Sequence, residues 1–465
     1  MKIDSLPTVI GLESHVQLST KSKLFCACPT RGKEPNSAVC PVCLGHPGSK
    51  PVLNKTAVEM AAKVALALNC KVNPSFFFSR KTYFYPDMSK NFQITQYEIP
   101  LSENGFVELD SGKKIRIRRL HLEEDPAALI HEKGFTLVDY NRAGIPLIEI
   151  VTEPDLASAR EAREFLNKLW TILGFLDVFS PGEDVLKADC NLSISGHAKV
   201  EIKNVSGFQA VERALLAEEK RQRELLSQGE EIRQQTRGFD DKSGRTVLQR
   251  EKETEADYGY IFEPDLVSST IDSKWMDAIR STLPELPFQK ARRFVREFGL
   301  SDYDAKVLCS NKKLSDLFES VSKRVSPGFA SRFLSRELLG ILNFNRLEID
   351  SVALSEKELG DLLELLESGK VSEKNAKQAA IEYVLSGVAP KVFLEKSGLL
   401  IDLGSVDTEK IVESVLLANP QAVSELKQGN QKSLNFLLGQ MMRQAKGKAN
   451  PRELQGFIEK KIKKK

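Results

Sequence analysis

Four cysteines near the start of the chain have the spacing of a metal site. Cys26 and Cys28 form a C-x-C pair, and Cys40 and Cys43 form a C-x2-C pair separated from the first by eleven residues. Zinc binds four thiolates at the corners of a tetrahedron, and each pair can supply two of them from one tight turn. Because four thiolates leave no coordination position open, the sequence predicts a structural zinc knuckle over residues 26–43. The alternative is four unrelated buried thiols.

A second group of residues has the chemistry of a magnesium site. Alternate residues of a strand share a face, so GLESHVQL places Glu13 and His15 together, and HLEED places Glu123 opposite Glu124. Glu149 stands alone in the apolar run IPLIEIV, where a buried carboxylate needs a cation, a hydrogen-bond network or a proton. Two further segments, KADCN and KVEIKNV, add Asp189 and Glu201. Mg²⁺ prefers oxygen ligands shared with substrate phosphates, so the pattern favours phosphoryl transfer, although each carboxylate alone could be an ordinary ion-paired residue.

Several motifs of nucleotide-binding and hydrolytic enzymes are absent from the sequence. It has no G-x4-G-K-[ST] loop, no G-x-G-x-x-G after a strand and no G-x-S-x-G elbow. ATP would therefore bind without a P-loop or Rossmann motif, and no nucleophile for glutamine hydrolysis stands out. The residue pattern alone predicts a metal-dependent enzyme and leaves its reaction open.

The elements that must position these residues change along the chain. Up to about residue 265, alternating runs such as VIGLESHVQL and KIRIRRLHLE predict strands, and 160–176 predicts a helix that begins at a capping box of Ser158 and Glu161. Beyond about residue 285 only helical periodicity remains, as in the amphipathic segment 434–447. The sequence predicts an α+β fold followed by helices.

Length and composition indicate a soluble protein of several domains. The chain has 465 residues, of which 41% are hydrophobic, and 67 Lys and Arg against 64 Asp and Glu give a net charge of +3. These values exclude a histone-like polycation and a wholly disordered chain. Without a run of about 20 apolar residues or a signal peptide's apolar core, the chain is predicted to be cytoplasmic and free of the membrane.

Positive charge is concentrated at the C-terminal end. Residues 441–465 contain nine Lys or Arg and two Glu, a local charge of +7, so residues 1–440 sum to −4. This layout is typical of nucleic-acid contact, but a solvated helix end has the same composition. We divide the chain into three predicted domains: a catalytic body 1–285, a helical domain 286–395 and a basic helical tail 396–465.

The order of the motifs is more specific than any one motif. GLESHVQL, LFCAC…CPVCLGHPG, RKTYFYPDMSKNFQITQYEIPL, RLHLEEDPAALIH, VDYNRAGIPLIEIVTEPD and EIKNVSGF follow one another, and MMRQAKGKANP extends the series to the end of the chain. Together they closely resemble the B subunits of the aspartyl/glutamyl-tRNA(Asn/Gln) amidotransferases. The resemblance implies a body similar in fold to glutamine synthetase, and a carbon–nitrogen ligase that uses ATP and Mg²⁺ to phosphorylate the side-chain carboxylate of Glu or Asp misacylated on tRNA.

The same resemblance implies partners and residue roles. Ammonia would come from a glutaminase A subunit, and a small C subunit would complete a heterotrimer that acts on misacylated tRNA(Gln) or tRNA(Asn). The implied catalytic residues are Glu13, His15, Glu123, Glu124, Glu149, Asp189 and Glu201. The implied magnesium ligands are Glu13, His15 and Glu124. The implied phosphate or carboxylate binders are Lys90, Arg142 and Lys203. The implied tRNA contacts of the tail are Lys446, Lys448 and Arg452.

Some positions depart from the family pattern and leave alternatives open. Ser14 replaces a usual Val, KADCN replaces RCDAN, and ADYGYIFEPD at 256–265 replaces HDYRYFPEPD. These departures leave open a second hypothesis, a non-catalytic tRNA-binding scaffold derived from the family. Against it, a scaffold has no need of charged groups on core strands. A zinc-ribbon nucleic-acid binder would explain only the cysteines and the tail. The sequence does not decide between Glu-tRNA(Gln) and Asp-tRNA(Asn) as substrate.

Overall fold

The chain forms two compact units, which we describe from a computed structural model. The structure describes residues 3–32, 34–180, 186–251, 259–401, 408–427, 430–445 and 451–463. The first unit spans residues 1–286 and the second spans residues 287–465. The first unit is mixed α/β and the second is all-helical, which confirms the predicted α+β body followed by helices. The further division of the helical part at residue 395 stays a prediction.

The first unit alternates strands and helices along the chain. Its described strands are β1 Thr8–Gln17, β2 Lys71–Val72, β3 Ser75–Phe76, β4 Ser79–Thr82, β5 Phe92–Thr95, β6 Ser102–Glu108, β7 Lys114–Glu124, β8 Ala128–Glu132, β9 Phe135–Asp139, β10 Pro146–Thr152, β11 Leu186–Ile194, β12 Val200–Ser206, β13 Gln235–Asp240, β14 Arg245–Glu251, β15 Gly259–Phe262 and β16 Ser269–Thr270. Its helices are α1 Lys55–Ala67, α2 Ala159–Phe175, α3 Phe208–Ser227 and α4 Ser273–Ser281.

Nine of the described strands form one sheet in the order β14-β13-β12-β11-β1-β10-β7-β6-β2. Neighbouring strands are antiparallel except β12 and β13, which run parallel. A smaller sheet has the order β15-β4-β5. The two sheets approach each other where β5 packs against β7.

The four central strands β11, β1, β10 and β7 have one apolar and one polar face. Even-numbered residues such as Leu12, Val16 and Ile148 belong to a hydrophobic core that also contains apolar residues of α1, α2 and α3. Odd-numbered residues point to the opposite face, because side chains alternate along a strand. In β7 this numbering holds from Arg119 onward, after a register shift that leaves the odd-numbered Ile115 and Ile117 in the core. The apolar face of β1 is the one predicted from GLESHVQL.

The register of the central strands aligns the odd-numbered polar residues in rows. Glu13 lies opposite Asp189 of β11 on one side and Val151 of β10 on the other. His15 lies opposite Glu149, and Glu149 lies opposite His121 of β7. Directly opposed residues have Cβ atoms about 5 Å apart, so the polar side chains of four strands meet on one face of the sheet.

The predicted helix after β10 forms as α2, and its start explains its position. Ser158 Oγ accepts a hydrogen bond from Glu161 N at 3.2 Å, and the Glu161 carboxylate accepts one from Ala157 N at 2.8 Å. This reciprocal capping satisfies two donors at the first turn. The apolar face of α2 then enters the same core as the central strands through Phe165, Leu169, Ile172 and Leu173.

The second unit consists of helices in its described parts. They are α5 Pro287–Phe298, α6 Asp302–Leu308, α7 Lys312–Val321, α8 Pro327–Arg332, α9 Leu339–Phe344, α10 Glu356–Glu367, α11 Glu373–Ser386, α12 Pro390–Lys396, α13 Thr408–Ala418, α14 Pro420–Lys427, α15 Gln431–Gln444 and α16 Pro451–Lys463, with a π-helical turn Phe333–Leu338 joining α8 to α9. A small core of its own links α13, α15 and α16 through Val412, Leu437 and Leu454. No helix within the described ranges has the length and apolar character needed to cross a membrane.

Candidate functional site

A cleft of about 290 Å³ lies on the polar face of the large sheet. We call it the acidic cleft and define it by Glu13, Glu123, Glu149 and Glu201, which all line it. The small sheet and the segments beside it supply one wall, through Lys81, Thr95, Gln96, Tyr97 and Tyr260. The central strands, β12 with the residue before it, and β13 supply most of the rest, including Arg119, His121, Asn191, Lys199, Lys203 and Thr236.

Two groups of potential metal ligands occupy this face. One group is His15, Glu123 and Glu149, and the other is Glu13, Asp189 and Glu201. Within each group, one ligand atom from every residue lies within 4.8 Å of the others. Six of the predicted site residues are therefore brought together, and they come from five different strands.

Hydrogen bonds hold the carboxylates of both groups in place. Thr95 Oγ1 donates to Glu123 Oε2 at 3.0 Å, and Asn191 Nδ2 donates to Glu13 Oε1 at 3.0 Å. Thr236 Oγ1 donates to Glu201 Oε2 at 3.2 Å. The second oxygen of each carboxylate can still accept a hydrogen bond or bind a cation. Neutral donors fix the position of these carboxylates without neutralising their charge.

The two groups differ in their electrostatics. Burial, followed by the charges of Glu149, Glu201 and Asp189, raises the pKa of Glu13 to about 7. Burial lowers the pKa of His15, but its hydrogen bond to Glu149 and nearby negative charges outweigh burial and raise the pKa to about 10. The group around Glu13 thus carries a repulsion that a cation would relieve, since its carboxylates face one another across adjacent strands.

His121 joins the first group although we assigned it no role from sequence. Its Nε2 lies 3.6 Å from Glu123 Oε2 and 3.6 Å from Glu149 Oε2. The positive charge of His121 and the hydrogen bond from His15 outweigh burial and hold the pKa of Glu149 well below its usual range. The alternation of HLEED already places His121 and Glu123 on one face, so the signal was present in the sequence.

Glu124 and Lys90 lie together, outside both ligand groups. Glu124 follows Glu123 directly and therefore points to the other side of β7. Its Oε2 accepts a hydrogen bond from Lys90 Nζ at 2.6 Å, and its Oε1 accepts one from Ile94 N at 2.8 Å. The structure consequently brings Glu123, and not Glu124, to His15, and the predicted magnesium trio with Glu13 is not assembled. Lys90 has a carboxylate partner here and does not line the cleft.

Arg142 also lies away from the acidic cleft, and Lys203 lies within it. Arg142 donates to the carbonyl oxygens of Pro126 and Ala127 at 2.9 Å each, and its Nε is 3.3 Å from Asp125. These contacts fix the turn before β8. Lys203 Nζ lies 3.5 Å from Glu201 Oε1 on β12, beside the second ligand group.

The four cysteines Cys26, Cys28, Cys40 and Cys43 also come together. One sulfur from each lies within 4.8 Å of the others, and the sulfurs of Cys40 and Cys43 are 3.9 Å apart. The hydrogen bond with Cys26 lowers the pKa of Cys43 to about 4, although burial opposes it. Lys23, which is fully buried, places its Nζ 3.6 Å from Cys43 Sγ and adds positive charge beside the thiolates.

The segment that departs from the family pattern forms part of the cleft wall. Residues 256–258 lie outside the described residues, whereas Tyr260 of β15 stacks on Tyr97 with ring centroids 4.0 Å apart. Glu263, which is 1% exposed, accepts two hydrogen bonds from Arg80 at 2.7 and 2.8 Å. Among the predicted tRNA contacts, Lys446 and Lys448 and the side chain of Arg452 lie outside the described part of the chain.

Sequence reasoning missed Lys81, Gln96, Tyr97, Arg119 and Tyr260 as cleft residues. Arg119 has a signal, because it lies two residues before His121 and so shares its face of β7. The other four belong to the small sheet or its flanks, and pairing between β4, β5 and β15 brings them to the cleft. No local pattern predicts those long-range pairs.

Comparison with known proteins identifies close relatives over the whole chain. Residues 8–277 match the family described as the GatB/GatE catalytic domain, and residues 316–462 match the GatB domain. The B subunit of the aspartyl/glutamyl-tRNA(Asn/Gln) amidotransferase of Thermotoga maritima is 44% identical, with 97% of this chain and 98% of the relative covered. The protein of the same name from Carboxydothermus hydrogenoformans is 43% identical, with 98% of each chain covered. That from Persephonella marina is 43% identical over 98% of this chain and 99% of its own.

Proposed function

This chain belongs to the GatB/GatE family, and we propose that it is the B subunit of a tRNA-dependent amidotransferase, an ATP-dependent carbon–nitrogen ligase. Its substrate would be Glu-tRNA(Gln), Asp-tRNA(Asn) or both, and its products Gln-tRNA(Gln) and Asn-tRNA(Asn). The observation that carries the proposal is the acidic cleft, in which two groups of metal ligands share one space with lysines and an arginine. This arrangement suits a reaction between two anions.

The proposed reaction has two steps on the aminoacyl side chain. An oxygen of the carboxylate attacks the γ-phosphorus of ATP, the bond to the bridging oxygen breaks, and ADP leaves. Ammonia then attacks the carbonyl carbon of the acyl phosphate and loses a proton, and inorganic phosphate leaves to give the amide. The first step brings two anionic groups together and the second releases anionic phosphate, so catalysis depends on positioning and on positive charge near the phosphates.

The two ligand groups fit magnesium in their chemistry. Glu13, Asp189 and Glu201 offer only oxygen ligands, and His15, Glu123 and Glu149 offer oxygens and one nitrogen. The raised pKa of Glu13 reflects burial first and then the charges of neighbouring carboxylates, and a bound cation would offset both effects. Bound magnesium would offset negative charge between ATP and the aminoacyl carboxylate. His15 would have to be neutral to act as a ligand there.

Two lysines of the cleft would bind the phosphates of ATP. Lys199 and Lys203 both line the cleft, two positions on either side of Glu201. An ammonium group on a flexible stem is a common partner of phosphate. We therefore assign the nucleotide phosphates to the β12 side of the cleft, beside the second ligand group. This assignment keeps Lys203 in its predicted role and leaves Lys90 and Arg142 as structural residues.

The four-cysteine cluster supports a structural zinc site. Ligands about 2.3 Å from zinc place two sulfurs about 3.8 Å apart in a regular tetrahedron. The sulfurs of Cys40 and Cys43 are 3.9 Å apart, so the pair already has this spacing. Zinc would fix the segment 26–43 as a rigid turn, and the neighbouring Lys23 would offset part of the charge of four thiolates.

The remaining proposals follow from the family. The mixed sheet body supports a catalytic fold similar to glutamine synthetase. Since the chain offers no candidate nucleophile for glutamine hydrolysis, ammonia would come from a glutaminase A subunit, and a small C subunit would complete the assembly. The basic end of the chain would bind tRNA, and the reaction would take place in the cytoplasm with the rest of translation.

The decisive experiment measures ATP cleavage by the chain assembled with its partner subunits. We expect cleavage that depends on Glu-tRNA(Gln) or Asp-tRNA(Asn), tested separately so that the substrate is identified. Glu13→Ala and His15→Ala should each abolish this cleavage and leave tRNA binding within a few-fold, because the ligand groups serve the transition state. Glu132→Ala, which removes an exposed carboxylate from β8, is the matched control.

Two outcomes would reject the proposal. Wild-type turnover in the Glu13 and His15 variants would place the chemistry elsewhere. Tight binding of charged tRNA by the wild-type complex without any ATP cleavage would support the non-catalytic scaffold.

A further inference from the structure

The orientation of the Gln96 side chain is fixed by its neighbours. Gln96 follows β5 in the wall of the acidic cleft and is 1% exposed. Its Oε1 accepts hydrogen bonds from Leu101 N at 3.2 Å and Leu122 N at 2.9 Å. Because both partners are backbone donors, the carboxamide cannot be reversed without losing both bonds. Its Nε2 has no hydrogen-bond partner within the described chain.

Arg119, which lines the same cleft, has a second unsatisfied donor. Its Nε is buried and also lacks a hydrogen-bond partner among the described residues. Arg119 lies on the polar face of β7, between Val151 of β10 and Glu103 of β6 in the register. Buried donors are nearly always paired in folded proteins, so two unpaired donors lining one cleft indicate a ligand that accepts from them.

The chemistry of the two donors defines this ligand. A planar guanidinium and a primary amide together suit a planar anion with two acceptor oxygens, which is a carboxylate. On the opposite side of the cleft lie Lys203 of β12 and Lys199, which directly precedes that strand, and their flexible ammonium groups suit phosphate. Of the residues that would hold magnesium, Glu123 lies on β7, Glu201 lies on β12, and the other four lie on the strands between these two.

We propose that Gln96 and Arg119 form the subsite for the side-chain carboxylate of the aminoacyl group on tRNA. This inference rests on the proposed function and adds the residues that recognise the acceptor. It places the carboxylate at the β5–β7 side and the nucleotide phosphates at the β12 side, with Glu13 and Glu149 on the strands between them. The amide product carries no charge, so its attraction to Arg119 is weaker and the site favours substrate over product.

Two substitutions test the subsite with little disturbance of the fold. Gln96→Glu keeps an oxygen that can accept from Leu101 N and Leu122 N, but it replaces the donor with a repelling carboxylate. Arg119→Gln removes the cation and keeps a polar side chain. Arg116→Gln is the matched control, because Arg116 is on the same strand with its side chain 66% exposed and pairs with Asp155 outside the cleft.

Kinetics of the complex assembled with its partner subunits provide the first readout. We expect Gln96→Glu and Arg119→Gln to lower kcat/KM for the misacylated tRNA at least tenfold, with KM for ATP within twofold of wild type. The control should match wild type in both. A rise in KM for ATP with unchanged kcat/KM for the tRNA would assign the donors to the nucleotide and overturn the proposal. Unchanged values in both variants would show that water satisfies the donors, and would overturn it as well.

Binding without turnover separates this inference from the proposed function. In the absence of ATP, wild type should bind Glu-tRNA(Gln) or Asp-tRNA(Asn) more tightly than the same tRNA uncharged or carrying the amide. In both variants the ratio of the affinity for charged tRNA to that for uncharged tRNA should fall at least fivefold, whereas Arg116→Gln should retain the wild-type ratio. A preserved preference in the variants overturns the subsite even if they are inactive. A lost preference supports the subsite even if the wild-type complex cleaves no ATP, a result that would reject only the proposed function.

Discussion

Replacing Glu13 with glutamine should stabilise the metal-free protein at neutral and alkaline pH. The substitution keeps an Oε1 that can accept from Asn191 Nδ2, as the carboxylate does at 3.0 Å, but it cannot ionise. In the native chain the pKa of Glu13 rises from 4.5 to about 7, mainly because of burial and then of neighbouring carboxylates. A rise of this size, at 1.36 kcal/mol per pKa unit, corresponds to about 3 kcal/mol.

The sign and the pH window follow from the direction of the shift. A raised pKa means that the folded state holds the Glu13 proton more tightly than the unfolded state does. The stability contributed by this proton is fully present below pH 4.5 and is lost as the pH rises to about 7. Relative to wild type, Glu13→Gln should therefore gain about 3 kcal/mol in free energy of unfolding between pH 4.5 and pH 8.

Tryptophan fluorescence during urea unfolding is a suitable assay. The chain has two tryptophans, Trp170 in α2 and Trp275 in α4, and both belong to the first unit, so their signal reports on the unit that contains the cleft. Wild type, Glu13→Gln and the control Glu132→Gln are compared at both ends of the pH window in buffer without divalent cations. Adding Mg²⁺ at pH 8 should then stabilise wild type more than Glu13→Gln, since ligand binding to the folded state shifts the equilibrium.

Two results would refute this reasoning. A stability difference between wild type and Glu13→Gln that does not change with pH would show that folding does not raise the pKa of Glu13. Equal stabilisation of both proteins by Mg²⁺ would show that Glu13 is not part of a cation site.

Three further predictions concern the zinc knuckle, the Lys90 pair and the tail. Wild type should contain one zinc per chain by elemental analysis, and Cys40→Ser should lower thermal stability more than it lowers turnover at low temperature; metal-free protein of unchanged stability would contradict the zinc site. Lys90→Met should destabilise the first unit by about 3 kcal/mol in urea unfolding, because it leaves Glu124 buried without its cation. The same variant should bind Mg²⁺ as wild type does. A selective loss of Mg²⁺ binding would instead indicate that Glu124 is a metal ligand. Deleting residues 396–465 should raise KM for misacylated tRNA at least tenfold, about 1.4 kcal/mol, and should weaken the salt dependence of this KM. A loss of kcat at unchanged KM would contradict the proposal that the tail binds tRNA.

The part of the site that lies on adjacent central strands could be predicted from the sequence. Strand alternation placed Glu13 and His15 on one face and Leu12 and Val16 on the other, and the structure shows both faces. The same rule separates Glu123 from Glu124, because neighbouring residues point to opposite sides of a strand. The magnesium set taken from the family resemblance nevertheless contained Glu124, and the structure brings Glu123 to His15 instead.

Residues that reach the cleft through long-range pairing could not be predicted. Tyr97 and Tyr260 are far apart in sequence and meet because β4 pairs with both β5 and β15. Lys90 and Arg142, whose predicted role as phosphate or carboxylate binders stays a prediction, illustrate a different limit of sequence reasoning. A cationic residue in a family motif suggests a phosphate ligand, but each has protein acceptors from a neighbouring segment. Composition and spacing do not specify which acceptor a long flexible side chain finds.

The same four strands both stabilise the fold and carry the charges of the cleft. Their even-numbered residues bury an apolar face against α1, α2 and α3, and burial of this kind is the main favourable term in folding. Their polar face concentrates carboxylates, and burial together with the repulsion between these carboxylates raises the pKa of Glu13. A strand is rigid enough to hold such residues at fixed spacing, whereas a loop would relax and separate them. The apolar face therefore keeps the carboxylates of the cleft close together, and their mutual repulsion is the physical reason for which we propose a cation there.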